Sequence, residues 1–296
     1  MRQRLAGDLL IALLCLIWGS TWIVIKFGLA DMPPFTSAGV RFLLAALVMT
    51  AVTRVLRERE GGVRPPRWLS ATLGLTSFSI SYAVVYWSET RLPSGIVSVL
   101  WSVFPMLMAV SGHWFLPGGS LRPRQWLGFV VGFVGVGLLF FTDLRGFGTG
   151  AIPAALILLL SPLVSTVGTT LVKRYGTGVS SLALNRDAMW IGALILCAVA
   201  WATERGAPLQ WTGAAVLSIL YLAIVGTAVA FGLYFWLLRH RSAHDLSLIS
   251  YVTPAVALLL GAAQGETPIT RFTIAGSILI LAGVALVVRG HGGATR

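Results

Sequence analysis

Ten runs of mostly apolar residues, joined by short connections that hold nearly all of the charge, constrain this chain more than any motif in it. The runs cover roughly residues 8–28, 35–54, 68–88, 93–114, 125–142, 150–173, 181–203, 212–238, 244–264 and 271–289. Each is close to the about 20 residues that an α-helix needs to cross the hydrocarbon of a bilayer. Charged residues make up only 11% of the chain, whereas a water-soluble domain uses about 25% to cover its surface. No soluble core hides that much apolar surface, so the chain reads as an all-α integral membrane protein with the lipid bilayer as its solvent. The connections leave no room for a soluble domain. The MRQR opening and its apolar run have the look of a secretory signal, but no small-x-small cleavage site follows and the run recurs later, so it counts as part of the fold.

A net charge of +12 would fit a nucleic-acid partner in a soluble protein. Here the basic residues sit where they orient helices instead. Alternate connections and the two termini hold 15 of them, and the remaining connections hold only Arg91, Arg145, Arg205 and Arg271. Because basic residues mark the cytoplasmic side, both termini are expected in the cytoplasm, and no nucleic acid is expected as a partner. Cys15 and Cys197 fall inside apolar runs without metal-ligand spacing, so neither a metal nor a cofactor is expected.

The chain is also one half built twice. Its only lysines, Lys26 and Lys173, lie 147 residues apart, and each closes a similar stretch, IWGSTWIVIK over 17–26 and VSTVGTTLVK over 164–173. Phe104-Pro105 matches Thr253-Pro254, and Tyr86-Trp87 matches Phe235-Trp236, both at an offset of 149. Gly128 and Gly135 match Gly276 and Gly283 at 148, and Arg41 matches Arg186 at 145. The halves are 1–145 and 146–296, each with five helices. Five is odd, so tandem halves cross the membrane in opposite senses. That is the inverted-repeat plan of secondary transporters, with substrate held near the midplane between the halves.

Together the WGSTW first helix with its lysine, the VRF second helix, the prolines in helices 4 and 9 and the GETPITRFTIAGSILILAGV ending resemble the drug/metabolite transporter superfamily. Within it the chain resembles the EamA-type exporters, the bacterial aromatic amino-acid exporters in particular, over nearly its whole length. The resemblance implies ten transmembrane helices, as two inverted five-helix repeats around a central cavity, with helices 5 and 10 away from it. It also implies a multi-pass protein of the bacterial inner membrane. One departure is visible: Gly265-Glu266 has no acidic counterpart in the first half, which reads FLPGGS over 115–120. Glu266 is therefore taken as a loop or helix-capping residue of one half.

Ionisable groups at membrane depth are expensive and are functional suspects by default. All ten acids fall in loops or near helix ends, Glu89 and Glu266 among them. The GTTLVK stretch resembles the first helix of the small multidrug-resistance exporters, which carry an essential glutamate eight positions before the lysine. Here those positions hold Ser165 and Trp18, which argues against proton-driven export of cationic drugs and for a uniporter. Lys26, Arg41, Lys173 and Arg186 form two repeat-related pairs that either bind an anionic group or snorkel and cap helix ends. Spread over both faces, they do not make the basic cluster of an organophosphate exchanger.

The substrate cavity is then mostly neutral and aromatic. Its expected lining is Trp18, Ser79, Tyr82, Tyr86, Ser98, Trp101, Ser102, Ser165, Thr169, Phe231, Tyr234, Phe235, Ser250 and Tyr251. Rings cover an apolar side chain while hydroxyls orient polar ends. Pro105 and Pro254, which free a carbonyl one turn back, are the expected hinges of alternating access. Glycines 128, 132, 135, 276 and 283 allow close helix contact, within the monomer or between monomers, and a monomer is the working assembly. No intramembrane catalytic set is present, so the chain is not read as an enzyme. The function expected is export of neutral, aromatic or other apolar, amino acids and related metabolites by a facilitator. The alternative is a multidrug or other metabolite exporter of the same superfamily, coupled to protons.

Overall fold

A computed structural model describes residues 2–60, 62–116, 121–139, 148, 150–231, 233, 234, 237, 249–266 and 269–289; of these, 2–6, 57–60, 251, 288 and 289 are described by their backbone alone. The described chain is helical, with one isolated bridge between Val63 and Val179 in place of a sheet. In chain order the helices are α1 (Arg2–Leu29), α2 (Pro34–Glu60), α3 (Arg67–Glu89), α4 (Ser94–Phe115), α5 (Pro123–Leu138), α6 (Ala151–Tyr175), α7 (Ser181–Thr203), α8 (Gly213–Val229), α9 (Ile249–Ala263) and α10 (Arg271–Arg289). Six of them, α1 to α4, α6 and α7, contain stretches long and apolar enough to cross a membrane; α8, α9 and α10 contribute shorter apolar stretches. Large apolar side chains stand exposed along the bundle, among them Leu16, Leu47, Phe133, Leu217, Leu259 and Ile278. This is a multi-pass membrane protein: such a surface is stable against lipid tails and not against water.

Local chemistry sets the helix boundaries. Pro34 and Pro123 start α2 and α5, where a missing N–H is harmless. Pro66 and Pro93, both extended, precede α3 and α4. Ser180 and Thr212 cap α7 and α8 by accepting from Ala183 N and Ala215 N.

Four helices depart from regular α geometry. α3 passes through a π-helical segment at Gly74–Ile80, and α8 through one at Tyr221–Val229. In both, a hydroxyl reaches the carbonyl five residues back: Ser79 Oγ to Gly74 O and Thr227 Oγ1 to Leu222 O, each at 2.8 Å. α4 breaks at Ser102-Val103, and Pro105 lies in the first turn of the segment that resumes at Phe104. α6 breaks at Leu159, three residues before Pro162. Pro254 sits inside α9, which continues through it.

α2 packs along α7, α5 along α10, and α1 along α9. The α5–α10 contact settles the question that the glycines leave open in the sequence: it lies within one chain. A Cβ on Gly283 would come within 2.5 Å of Gly128 O and 2.6 Å of Gly132 N, and one on Gly135 within 2.7 Å of Gly276 O. Backbones this close need glycine on both sides. Gly283→Leu is expected to push the helices apart and lower stability by roughly 1–3 kcal/mol, read as earlier thermal unfolding in detergent. Gly137→Ala, with nothing within 4 Å of the added methyl group, unfolds like the parent. Identical melting of the parent and Gly283→Leu would remove the close-contact account.

Candidate functional site

The polar interior gathers at one end of the bundle, where α1, α3, α7 and α9 finish and α2, α4, α6, α8 and α10 begin. It is called the Lys26 end below, and the opposite end the Lys173 end. Lys26, on the last turn of α1, reaches the α3–α4 turn. Its ammonium donates to the carbonyl of Glu89 and to that of Leu92 at 3.0 Å, and it pairs with Glu266 Oε1 at 3.3 Å. Glu266 in turn accepts from Ser94 N at 3.1 Å and Ser94 Oγ at 2.6 Å. It therefore caps the first turn of α4, as a carboxylate at a helix N-terminus should. The capping role expected for Glu266 is realised on a helix of the other half.

A second carboxylate repeats the device. Glu204, after α7, accepts from Phe35 N at 2.8 Å and Thr36 N at 2.7 Å and caps α2. Asp31 accepts from Gln210 N through its carbonyl and from Thr212 Oγ1 through its carboxylate, tying the α1–α2 turn to the α7–α8 turn. At the Lys173 end Val63 N donates to Gly178 O and Ser180 N to Val63 O. Turns from the two halves are thus joined at both ends of the bundle.

Glu89, the last residue of α3, is fully buried, and neither carboxylate oxygen has a hydrogen-bond partner among the described residues. Its sequence position beside Thr90 and Arg91 reads as an ordinary helix end, so this burial has no signal in the sequence. Beside it opens a cavity of about 770 Å³, lined by the end of α1 and the turn after it, between Val24 and Asp31, by Glu89 and Thr90, and by α8 between Ala214 and Tyr221. That volume fits a small metabolite. Of the residues nominated from the sequence, Lys26 alone lines it.

From this cavity α1 presents Trp22 and Trp18 one and two turns below Lys26. Trp18 packs edge-on against Phe231 with centroids 5.9 Å apart, and against Tyr234 at 5.5 Å. Trp22 faces Trp101 at 6.2 Å, and Trp101 stacks on Phe104 at 5.0 Å across the α4 break. Trp101 Nε1 donates to Ser161 Oγ at 3.0 Å, and Ser161 shares a 2.7 Å hydrogen bond with Ser81. Ser161 and Ser81 were not singled out by sequence reasoning, although Ser161 sits directly before Pro162, as Phe104 does before Pro105. Tyr221, a cavity residue, hydrogen-bonds Ser20 at 2.7 Å, which links the cavity to the face of α1 below it.

The other nominated residues lie elsewhere. Tyr86 is fully buried and its hydroxyl is 3.3 Å from Arg41 Nη1. Arg41, also buried, lies over the Phe42 and Tyr82 rings at 5.2 and 5.1 Å. Ser79, Ser102 and Thr169 turn their hydroxyls back onto their own helices, and buried Ser98 Oγ is without a partner among the described residues. Ser165 is buried in α6, and Ser250 is half-buried at the start of α9. Arg186 pairs with its neighbour Asp187 at 2.6 Å, and exposed Lys173 has no ion pair among the described residues. Phe235 and the Tyr251 side chain lie outside the described residues.

Removing the Lys26 charge leaves two carbonyls and the Glu266 carboxylate short of a donor. Lys26→Gln is expected to lower stability by roughly 1–3 kcal/mol, and adding Glu266→Gln to it is expected to recover part of that loss. Lys173→Gln should melt like the parent in the same thermal unfolding experiment, and equal losses from the two lysines would show that the Lys26 contacts are not what matters.

The chain matches the EamA-like transporter family twice, over residues 5–141 and again over 152–289. It is 28% identical over 282 residues to an uncharacterised transporter, YvbV, of Bacillus subtilis, covering 94% of this chain and 90% of that one. It is also 28% identical over 278 residues to an uncharacterised inner membrane transporter, YedA, of Escherichia coli, with 94% and 89% covered. Protein PecM of Dickeya dadantii is 25% identical over 276 residues, with 92% and 88% covered. A solved structure described only as "Crystal structure of protein" superposes with a TM-score of 0.68 at 18% identity, covering 95% of this chain and 96% of the other; that likeness is one of fold.

Proposed function

The chain belongs to the EamA-like transporter family and is a membrane transporter, and we propose that it exports neutral amino acids with aromatic or other apolar side chains, together with related metabolites, by alternating access. The observation that carries the reading is the tryptophan ladder of α1. Trp18 meets Tyr234, and Trp22, one turn from Lys26, faces Trp101, whose indole N–H is held by Ser161 at the break of α4. Rings that cover an apolar side chain, with hydroxyls beside them to orient polar groups, suit an amphipathic solute.

The proposed architecture is ten spans in two inverted halves, 1–145 and 146–296, around a central cavity. The paired turns at both ends support it, as do the π-helical segments of α3 and α8, which begin 147 residues apart. The protein sits in the bacterial inner membrane with both termini in the cytoplasm, so the Lys26 end faces outward. Helix 4 hinges at the Ser102-Val103 break beside Pro105, and Pro254 is its counterpart in helix 9. The partners are a small-molecule substrate and the bilayer, with a monomer as the working unit and no cofactor in the cycle.

Transport runs as a uniport in this reading. The other reading is proton-coupled export of drugs or other metabolites, and Glu89 is the observation on its side, since it is an acid buried away from water. Flux in proteoliposomes separates the two. Phenylalanine flux that ignores an imposed proton gradient and falls about tenfold or more in Trp101→Ala supports amino-acid uniport through an aromatic route. Flux that requires the gradient would replace uniport with coupling, and absence of amino-acid flux under either condition would move the substrate to other metabolites.

A further inference from the structure

A cluster of cations stands on the outer surface of the Lys173 end. The connection between α2 and α3 is fastened to the α6–α7 turn by two backbone hydrogen bonds, Val63 N to Gly178 O at 2.8 Å and Ser180 N to Val63 O at 2.9 Å. Arg64 follows Val63, Arg67 opens α3, and Arg174 lies in the last turn of α6. Trp68, next to Arg67, meets Tyr175, next to Arg174, edge to face with centroids 5.5 Å apart. The two arginines therefore stand on adjoining helix ends.

All three arginines are exposed. Arg64 and Arg67 have neither an ion pair nor a hydrogen bond among the described residues. Arg174 gives one N–H to Phe115 O at 2.9 Å, lies over the Tyr175 ring, and has no ion pair among the described residues. Of the acids at this end, Asp187 pairs with Arg186, and Asp8 makes a contact of its own. Asp245 and the side chains of Glu58 and Glu60 lie outside the described residues. Lys173 is about 100° round the helix from Arg174 and is not part of the cluster.

The surface beside the cluster has the layering of a lipid. Trp68 and Tyr175 are both about half exposed, and amphipathic rings of this kind settle at the headgroup level of a bilayer. Along α6 from Arg174, exposed Val167, Leu163 and Leu160 recur at spacings that keep them on the same face. α3 touches α6 where a Cβ on Gly168 would collide with Thr76 Oγ1. The sequence neighbours of these two contact residues, Leu75 and Val167, are exposed and give the seam apolar rims.

We propose that the α3–α6 seam at the Lys173 end binds one anionic phospholipid. Its phosphate lies between Arg67 and Arg174 with Arg64 beside it, its glycerol region against Trp68 and Tyr175, and an acyl chain along the seam. Guanidinium groups suit phosphate because they offer paired N–H donors, and basic residues beside a membrane surface favour anionic headgroups. A soluble anion would engage the arginines and leave the rings and the seam uncovered. α3 belongs to the first family match and α6 to the second, so the headgroup bridges the two halves. The site needs only that the chain spans a bilayer, and it stands apart from the substrate proposed above.

The test uses the full-length protein in phosphatidylcholine nanodiscs prepared with increasing fractions of phosphatidylglycerol whose chains are brominated. Bromine quenches nearby indole fluorescence, and subtracting the signal of the Trp68→Phe form isolates Trp68 from the other tryptophans. Brominated phosphatidylcholine is the comparison lipid. Phosphatidylglycerol is expected to quench the Trp68 signal at a mole fraction roughly tenfold lower than phosphatidylcholine does. Replacing both arginines, Arg67→Gln with Arg174→Gln, should bring the two lipids together. Arg205→Gln, which removes an arginine lying over Trp201 at the Lys26 end, should keep the preference.

Equal quenching by the two lipids in the parent overturns the proposal, and so does a preference that survives the loss of both arginines. The comparison of lipids on the parent decides the matter even where the double variant does not fold. Inorganic phosphate that relieves the quenching more than chloride does at equal ionic strength would assign the arginines to a soluble anion and overturn the lipid site.

Discussion

In a bilayer no water is present to satisfy a backbone N–H or C=O, so every departure from a regular helix must be repaired inside the protein. This constraint organises the whole molecule. Where α3 and α8 pass through π geometry, Ser79 and Thr227 supply hydroxyls to carbonyls five residues back. Where α4 breaks, Ser102 Oγ donates to Val99 O at 2.6 Å. Where α3 ends and α4 begins, Lys26 supplies donors to two carbonyls and Glu266 accepts from the first turn. Irregular backbone of this kind is tolerated where it is packed against protein or lines a cavity, which is also where a transporter needs its substrate to pass.

The same logic explains why charge in this chain is concentrated in a few cross-links. Glu204 and Glu266 each cap a helix distant in sequence, α2 and α4. Both come from the second half and both act at the Lys26 end. A carboxylate at a helix N-terminus satisfies orphan N–H groups and meets the positive end of the helix dipole, so one side chain both closes a helix and fastens one half to the other. The glycines of α5 and α10 do the corresponding job without charge, by letting two backbones come into contact. The α5–α10 seam is thus closed by backbone contact, whereas the broken α4 is held by single hydrogen bonds such as Trp101 to Ser161.

Much of this was legible in the sequence, and the reasons differ by feature. Runs such as 8–28 and 181–203 were readable because lipid demands a fixed length of apolar helix, and the structure has Gly7–Leu29 and Ser181–Thr203 there. Glu266 was readable as a loop or capping residue because the first half has no acid to match it, and the helix that it caps, α4 of the other half, had no signal in the sequence. Ser79, Tyr82 and Tyr86 stand at i, i+3 and i+7 in the sequence, a spacing that puts them on one face only where the helix has 3.6 residues per turn. The π segment Gly74–Ile80 ends between the first of these residues and the other two. Tyr86 consequently meets Arg41 of α2 in the protein interior. The break at Leu159 has a local signal in Pro162, as the break of α4 has in Pro105.

Glu89 shows most clearly where a single sequence stops being informative. An acid followed by Thr90, Arg91 and Pro93 looks like any exposed helix end, and hydropathy places it in water. What buries it is tertiary: the end of α1 brings Lys26 over the α3–α4 turn, Glu266 arrives from beyond α9, and Arg41 closes the α2 side. None of these lies within 20 positions of Glu89. Local propensity decides where helices start and stop, whereas the polarity of a transporter's interior depends on which helix ends meet. The repeat makes that meeting necessary, since it sets the end of α1 beside the starts of helices from both halves. A chain that duplicates one lysine but not the acids around it ends with two chemically different ends. The Lys26 end has its ammonium fully engaged and a carboxylate left over, and the Lys173 end has an ammonium with no ion pair among the described residues.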